Sequence, residues 1–286
     1  MSDAPVNDEA SRDDAWYERE YNPRVTIPAA VERMASWGPR AEVARLAHPP
    51  LVDIPYGPHP RERWDLFRVP EARGTVVFIH GGYWRGLSKI ETSWIAEGFL
   101  GRGLSVALLN YPLCPEVPLG RILEAAVAGF AVLHREVLTE AERRRIVVAG
   151  HSAGGHLAAL HVATDWTAHG LPADPIAGAV PISGVFDLPP LVHTTINASL
   201  KLDAAEAARL SIIARPWRTK VPVTFVVGGV EPAEFHRQSD AMAAAWADLA
   251  PKRLDIVDAN HLTVLDGLAV VGSPIHRAVM EMVERD

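Results

Sequence analysis

A serine, a carboxylate and a histidine, the side chains that together transfer an acyl group, occur along this chain in a usable order. The serine is Ser152, in Gly150-His151-Ser152-Ala153-Gly154. The β-branched run Ile146-Val147-Val148 leads into it and an Ala/Leu-rich pattern follows, so the segment predicts a strand, a tight turn and a helix with Ser152 at the tip. Gly150 and Gly154 carry no side-chain bulk, which lets strand and helix close together while the hydroxyl projects outward. The start of a helix offers free N–H groups and a positive dipole end, and the N–H of Ala153 is the first donor a developing oxyanion would meet.

A hydroxyl is a weak nucleophile until a base takes its proton. Of the 12 histidines, His261 has the right position, in Asp258-Ala259-Asn260-His261 beyond the last strand pattern. It completes the chain order nucleophile, acid, base. His151 and His156 flank the serine and read as packing or hydrogen-bonding neighbours, His151 at the substrate pocket. The acid should follow the strand ending near Gly228, and Glu231 is the first carboxylate past it. Glu234, Asp187 and Asp258 are its rivals. The second oxyanion donor should come from the loop at His80-Gly81-Gly82, after the preceding buried strand, with the N–H of Gly82 first and that of Gly81 or Tyr83 second. Tyr83 and Trp84 follow and would line an aromatic substrate pocket.

These groups need elements to hold them, and the chain supplies strands alternating with helices. Strands are predicted at Arg63 to Val69 on an edge, Gly74 to His80, Ser105 to Tyr111, Ile146 to Gly150, Ile176 to Ile182, Val221 to Gly228 and Leu254 to Val257. Helices are predicted from about Leu119 to Leu138 and from Glu234 to Leu249, with helical spacing over Ile27 to Ala47 interrupted at Trp37-Gly38-Pro39. The proline-rich stretch Pro49 to Pro60 is left without a helix. The alternation predicts an α/β fold whose mostly parallel sheet is covered on both faces. A single domain over 1–286 is expected, with 1–48 an N-terminal arm and helices. Residues 1–14 read as a frayed polar tail, while Trp16, Tyr17 and Tyr21 read as docked on the domain. An insertion at about 186–217, helix-like from Asp203 to Ile212, would cap the carboxyl ends of the strands.

Composition narrows the partners. The 286 residues are 48% hydrophobic and 22% charged with a formal net charge of −7, which gives no electrostatic case for nucleic acid or an anionic membrane. A small-molecule substrate, an aromatic one in keeping with Tyr83 and Trp84, is the expected partner, and a homodimer the expected assembly. The single cysteine, Cys114, permits no internal disulfide and no cysteine metal cluster, and reads as a buried or semi-buried thiol. The acidic stretch Met1 to Glu20 has no apolar signal segment, and no later run reaches the roughly 18 apolar residues of a membrane helix. A soluble cytoplasmic protein is expected, with no metal and no cofactor.

The combination resembles the α/β-hydrolase superfamily and, within it, the kynurenine formamidase (arylformamidase) and related esterase group. The resemblance rests on His80-Gly81-Gly82-Tyr83-Trp84, Gly150-His151-Ser152-Ala153-Gly154-Gly155-His156, Ser183-Gly184-Val185-Phe186-Asp187-Leu188, Glu234-Phe235-His236-Arg237-Gln238-Ser239, Asn260-His261 and the N-terminal Tyr21-Asn22-Pro23-Arg24. It implies a metal-free serine hydrolase cleaving an N-formyl amide, such as N-formylkynurenine, or a small ester through an acyl-serine. A general short-chain carboxylesterase is the alternative, and a non-catalytic ligand-binding protein on the same fold is the alternative of another class. One departure stands out: members usually carry Asp where Glu231 stands, so an extra methylene must be absorbed by the loop.

Overall fold

The computed structural model describes residues 12–285. Eight strands form one sheet: β1 (Leu51–Pro55), β2 (Arg63–Phe67), β3 (Thr75–Ile79), β4 (Ser105–Leu109), β5 (Ile146–His151), β6 (Gly178–Ile182), β7 (Thr224–Gly228) and β8 (Lys252–Ile256). Their spatial order is β1-β2-β4-β3-β5-β6-β7-β8. Pairs β1/β2 and β2/β4 are antiparallel and every other pair is parallel.

Strands β3 to β7 are buried along their whole length, which is why they read as continuous apolar runs rather than alternating ones. Successive side chains still point to opposite faces. Val76, Phe78, Val106, Leu108, Val147 and Ala149 enter one core, and Val77, Ile79, Ala107, Leu109, Ile146 and Val148 enter the other. The helices Leu119–Val132, Ala153–Val162 and Ala233–Ala245 cover the second of these faces, with Ile122, Phe130, Leu157, Phe235 and Met242 in its core. The helices Trp37–Ala47 and Pro274–Glu284 cover the first, with Trp37, Ile275 and Val279.

Two element readings need correcting. The proline-rich stretch after Ala47 contains β1, so Arg63–Phe67 is flanked on both sides and the edge belongs to Leu51–Pro55. A bulge between Leu51 and Ile54 and an Asp53 φ of 54° break the alternation there, which hid the strand. The helical spacing of Ile27 to Ala47 resolves into helices Ala30–Ala35 and Trp37–Ala47, with Pro39 in the first turn of the second, where a missing N–H costs nothing. The helix from Leu119 continues as a π-helical turn over Leu133–Val137.

The arm begins with a helix, Asp14–Tyr21, capped by Asp13. Tyr21 is fully buried. Its hydroxyl meets Glu234 and also accepts from Gln238 Nε2 at 3.2 Å. Its carbonyl accepts from the Tyr83 hydroxyl. Tyr17 stacks on His193 of the 186–217 insertion, ring centroids 4.7 Å apart. The expected frayed tail falls mainly on 1–11, outside the described residues. Among the described residues no helix is long and apolar enough to cross a membrane.

Candidate active site

The candidate residues follow the carboxyl ends of β3, β5, β7 and β8, parallel strands whose ends share one edge of the sheet. Strand β5 runs through Gly150 to His151, and the helix starts at Ala153, leaving Ser152 between them at φ 56° and ψ −117°. A non-glycine residue held there stores on the order of 1–3 kcal/mol of strain, which the surroundings must impose. They do so by close packing. A Cβ on Gly154 would lie 2.0 Å from the Ile79 carbonyl oxygen, and one on Gly150 would lie 2.0 Å from the Gly154 oxygen. The Ser152 N–H donates to the Ile182 carbonyl at 2.8 Å and so ties the turn to β6.

His261 follows β8 and is buried, 3% exposed. Its Nδ1–H donates to Glu231 Oε2 at 2.6 Å. That bond fixes the tautomer and leaves Nε2 with its lone pair, the form a base requires. The other oxygen of Glu231 accepts from Ser183 Oγ at 2.5 Å and from the Gly228 N–H at 2.6 Å, so the carboxylate is held at both ends. Of the rival acids, Glu234 bonds Tyr21 and Arg237, and Asp187 accepts from Arg237 at 3.2 Å. No hydrogen bond links either of them, or Asp258, to His261. The segment Gly229 to Pro232 carries the acid, with the Glu231 N–H returning to the Gly228 carbonyl at 3.1 Å.

Ser152 and His261 open onto one cavity of about 300 Å³, lined also by Gly82, Tyr83 and His151. Gly81 packs against the Ser152 turn: a Cβ on it would meet Ser152 Cβ at 3.1 Å and the His151 carbonyl at 2.9 Å. Ala153 is the first residue of its helix, so its N–H has no intrahelical acceptor. The two segments expected to supply oxyanion donors therefore adjoin at Ser152. His151 Nε2–H donates to the main-chain carbonyl of His261 at 2.7 Å, and its ring lies 4.6 Å from that of His261. Burial pushes the His151 imidazole well below its usual range and so keeps it neutral.

A family model described as the alpha/beta hydrolase fold matches residues 76–248. The chain belongs to the α/β-hydrolase fold family. The kynurenine formamidase of Danio rerio is 28% identical over 257 residues, covering 85% of each chain. That of Salmo salar is 27% identical over 243 residues, 79% of this chain and 80% of its own. The crystal structure of a candidate thioesterase from Silicibacter sp. TM1040 matches with a TM-score of 0.82 at 32% identity, covering 91% of this chain and 97% of that one. A hyperthermophilic esterase from Pyrobaculum calidifontis shares the fold, with a TM-score of 0.67 at 17% identity over 88% of this chain and 90% of its own.

Several residues of this α/β hydrolase sit where the sequence did not place them. Trp84 lies outside the cavity, wholly buried with its ring 5.2 Å from that of His156. Tyr83 and Trp84 have consecutive positive φ angles of 48° and 52°, a left-handed double turn that sends the second ring into the core. Of the 186–217 insertion only Ser199 lines the cavity, whereas the N-terminal segment contributes Asn22, Pro23, Arg24, Met34 and Trp37. Cys114 lines it too, but burial pushes its thiol up to about 11, which leaves little thiolate to compete with Ser152. His80 stacks on Tyr111 at 4.2 Å, its imidazole pushed by burial down to about 3, and braces the glycine loop as a neutral ring. Ser183 was missed as a partner of Glu231; the signal was its place at the end of β6, beside the strand that carries the acid. No cluster of three or more His, Cys, Asp or Glu suited to a metal ion occurs among the described residues.

Proposed function

We propose that the protein is a serine hydrolase that cleaves a small acyl group, a formyl amide of an aryl amine such as N-formylkynurenine in the first place, through an acyl-serine. The observation that carries the reading is the Glu231-held His261 imidazole opening, with Ser152, onto one cavity. His261 Nε2 takes the Ser152 proton as Oγ bonds to the substrate carbonyl carbon, and the oxygen becomes an oxyanion beside the N–H groups of Gly82 and Ala153, with Gly81 as the alternative donor. Each such donor contributes about 3 kcal/mol in the transition state. The imidazolium then returns the proton to the leaving nitrogen as the C–N bond breaks. Water repeats the cycle on the acyl-serine and releases the acid, formate when the acyl group is formyl. Glu231 stabilises the imidazolium in both halves.

A cavity of about 300 Å³ is at the small end for ligand sites and suits a compact acyl group on a single aromatic ring. The identity to two kynurenine formamidases over most of both chains supports the formamide. The higher identity to a candidate thioesterase supports a second reading, a short-chain ester or thioester as substrate. Rates with N-formylkynurenine, p-nitrophenyl acetate and p-nitrophenyl butyrate decide between them. The formamidase reading expects the highest kcat/KM for the formamide, and a preference for either ester overturns it.

The acid has its own test. Glu231→Ala lowers kcat by about 10³- to 10⁴-fold and leaves measurable turnover, because Ser152 and His261 remain and only the orientation and charge of the imidazole are lost. Asp187→Ala retains most activity, since its carboxylate serves Arg237. The opposite pattern in steady-state kinetics would reassign the acid.

A further inference from the structure

The cavity wall carries a charge pattern that the acyl-transfer chemistry does not use. Among the described residues, its only Asp, Glu, Lys or Arg side chains are Arg24 and Arg85. Both residues are exposed, which puts them where the cavity meets solvent. Neither guanidinium has a hydrogen-bond or ion-pair partner among the described residues, in a chain where most other arginines are engaged. Glu18 acts on Arg85 electrostatically, but its two oxygens accept from Asn22 Nδ2 at 2.9 Å and from the Thr195 N–H and make no ion pair with it. The net charge of −7 makes a carboxylate-free wall with two free cations a local reversal of the protein's overall sign.

From this we infer that Arg24 and Arg85 select substrates bearing an anionic group, a carboxylate on the part of the substrate that reaches the cavity mouth. The inference rests on the acyl-transfer reading of Ser152 and names the substrate class of that site. Guanidinium groups suit the role because they stay charged at any working pH and present paired N–H donors that match a carboxylate's two oxygens. They reach the mouth from different parts of the chain. Arg24 follows the docked Tyr21, and Arg85 follows the glycine loop, its N–H donating to the Gly82 carbonyl at 3.0 Å. The same cavity is lined by Met34, Trp37, Tyr83 and Leu87, apolar and aromatic side chains able to hold a ring. An acyl group at Ser152, a ring along the wall and an anion at the mouth would then occupy the cavity from floor to rim.

The test compares substrates of the same shape and different charge: 4-formamidobenzoate with 4-formamidobenzamide, and 4-acetoxybenzoate with 4-acetoxybenzamide. The wild-type protein is expected to show a kcat/KM about tenfold higher for the carboxylate of each pair, the equivalent of roughly 1.4 kcal/mol. The preference should reside in KM and shrink as salt rises. In Arg24→Met/Arg85→Met the ratio falls to about one, and in Arg24→Lys/Arg85→Lys part of it returns. A merely structural role would lower kcat and Tm for both members of a pair and leave the ratio alone. Equal turnover of both members by the wild type, or a ratio that survives the double methionine variant, overturns the inference and leaves the serine-hydrolase reading standing. If neither pair is turned over and Ser152 does not react with a fluorophosphonate, the hydrolase reading fails and this inference with it.

Discussion

Ser152→Ala and His261→Ala each lower kcat by about 10⁵-fold or more, and the double variant is no slower than either single one. On the proposed mechanism the hydroxyl and the imidazole act in one proton transfer, so removing either removes the step, and nothing remains for the second substitution to take away. What survives comes from the oxyanion donors and from binding. Both side chains are nearly buried and replaced by something smaller, so the fold should persist and near-UV circular dichroism should match the wild type. Losses that add, each substitution costing its full factor in the presence of the other, would mean that the two groups do not work together.

Such a prediction is possible because each candidate catalytic residue sits in a pattern that is readable locally. A nucleophile turn needs a strand, two glycines around a serine and a helix, all within about fifteen residues, and the pattern from Ile146 to Leu160 supplies them. His261 and Glu231 were legible for a related reason: each lies in the loop after a parallel strand, where such loops gather on one edge of the sheet. The walls of the cavity were not legible. Asn22, Arg24, Met34 and Trp37 come from a segment far from Ser152 in sequence, held by long-range packing: Tyr21 is buried against Glu234 and Gln238, and Trp37 packs near Trp94 in the opposite core. Trp84 shows the same limit at short range, since a left-handed turn at Tyr83 and Trp84 cannot be read from residue type when neither is glycine. β1 escaped because its bulge and prolines erase the alternation by which strands are recognised.

Gly154→Ala abolishes the native packing of the nucleophile turn, with a stability loss of about 3 kcal/mol or more and the loss of most activity in whatever protein remains folded. The added carbon would stand 2.0 Å from the Ile79 carbonyl oxygen and 2.6 Å from that of His80, both main-chain atoms of β3 and its loop. Neither can swing aside as a flexible side chain could. Relief requires the helix Ala153–Val162 to back away from the sheet, which opens the core under Leu157 and carries Ser152 away from His261. Gly38→Ala is the matched control: it lies in the helix Trp37–Ala47 and has nothing within 4 Å of an added Cβ. There the substitution should be neutral or stabilising by up to about 1 kcal/mol through helix propensity. Chemical denaturation of the two variants reads the contrast directly, and equal stabilities would mean that the elbow is looser than the geometry requires.

The central claim is that the Ser152 oxygen is a nucleophile activated by the His261 imidazole. Fluorophosphonate labelling with mass analysis of the peptides tests it most directly. The account predicts one adduct per chain, on Ser152, absent in Ser152→Ala and formed far more slowly in His261→Ala. A folded protein that takes no label, or takes it on another residue while Ser152 stays unmodified, would contradict it.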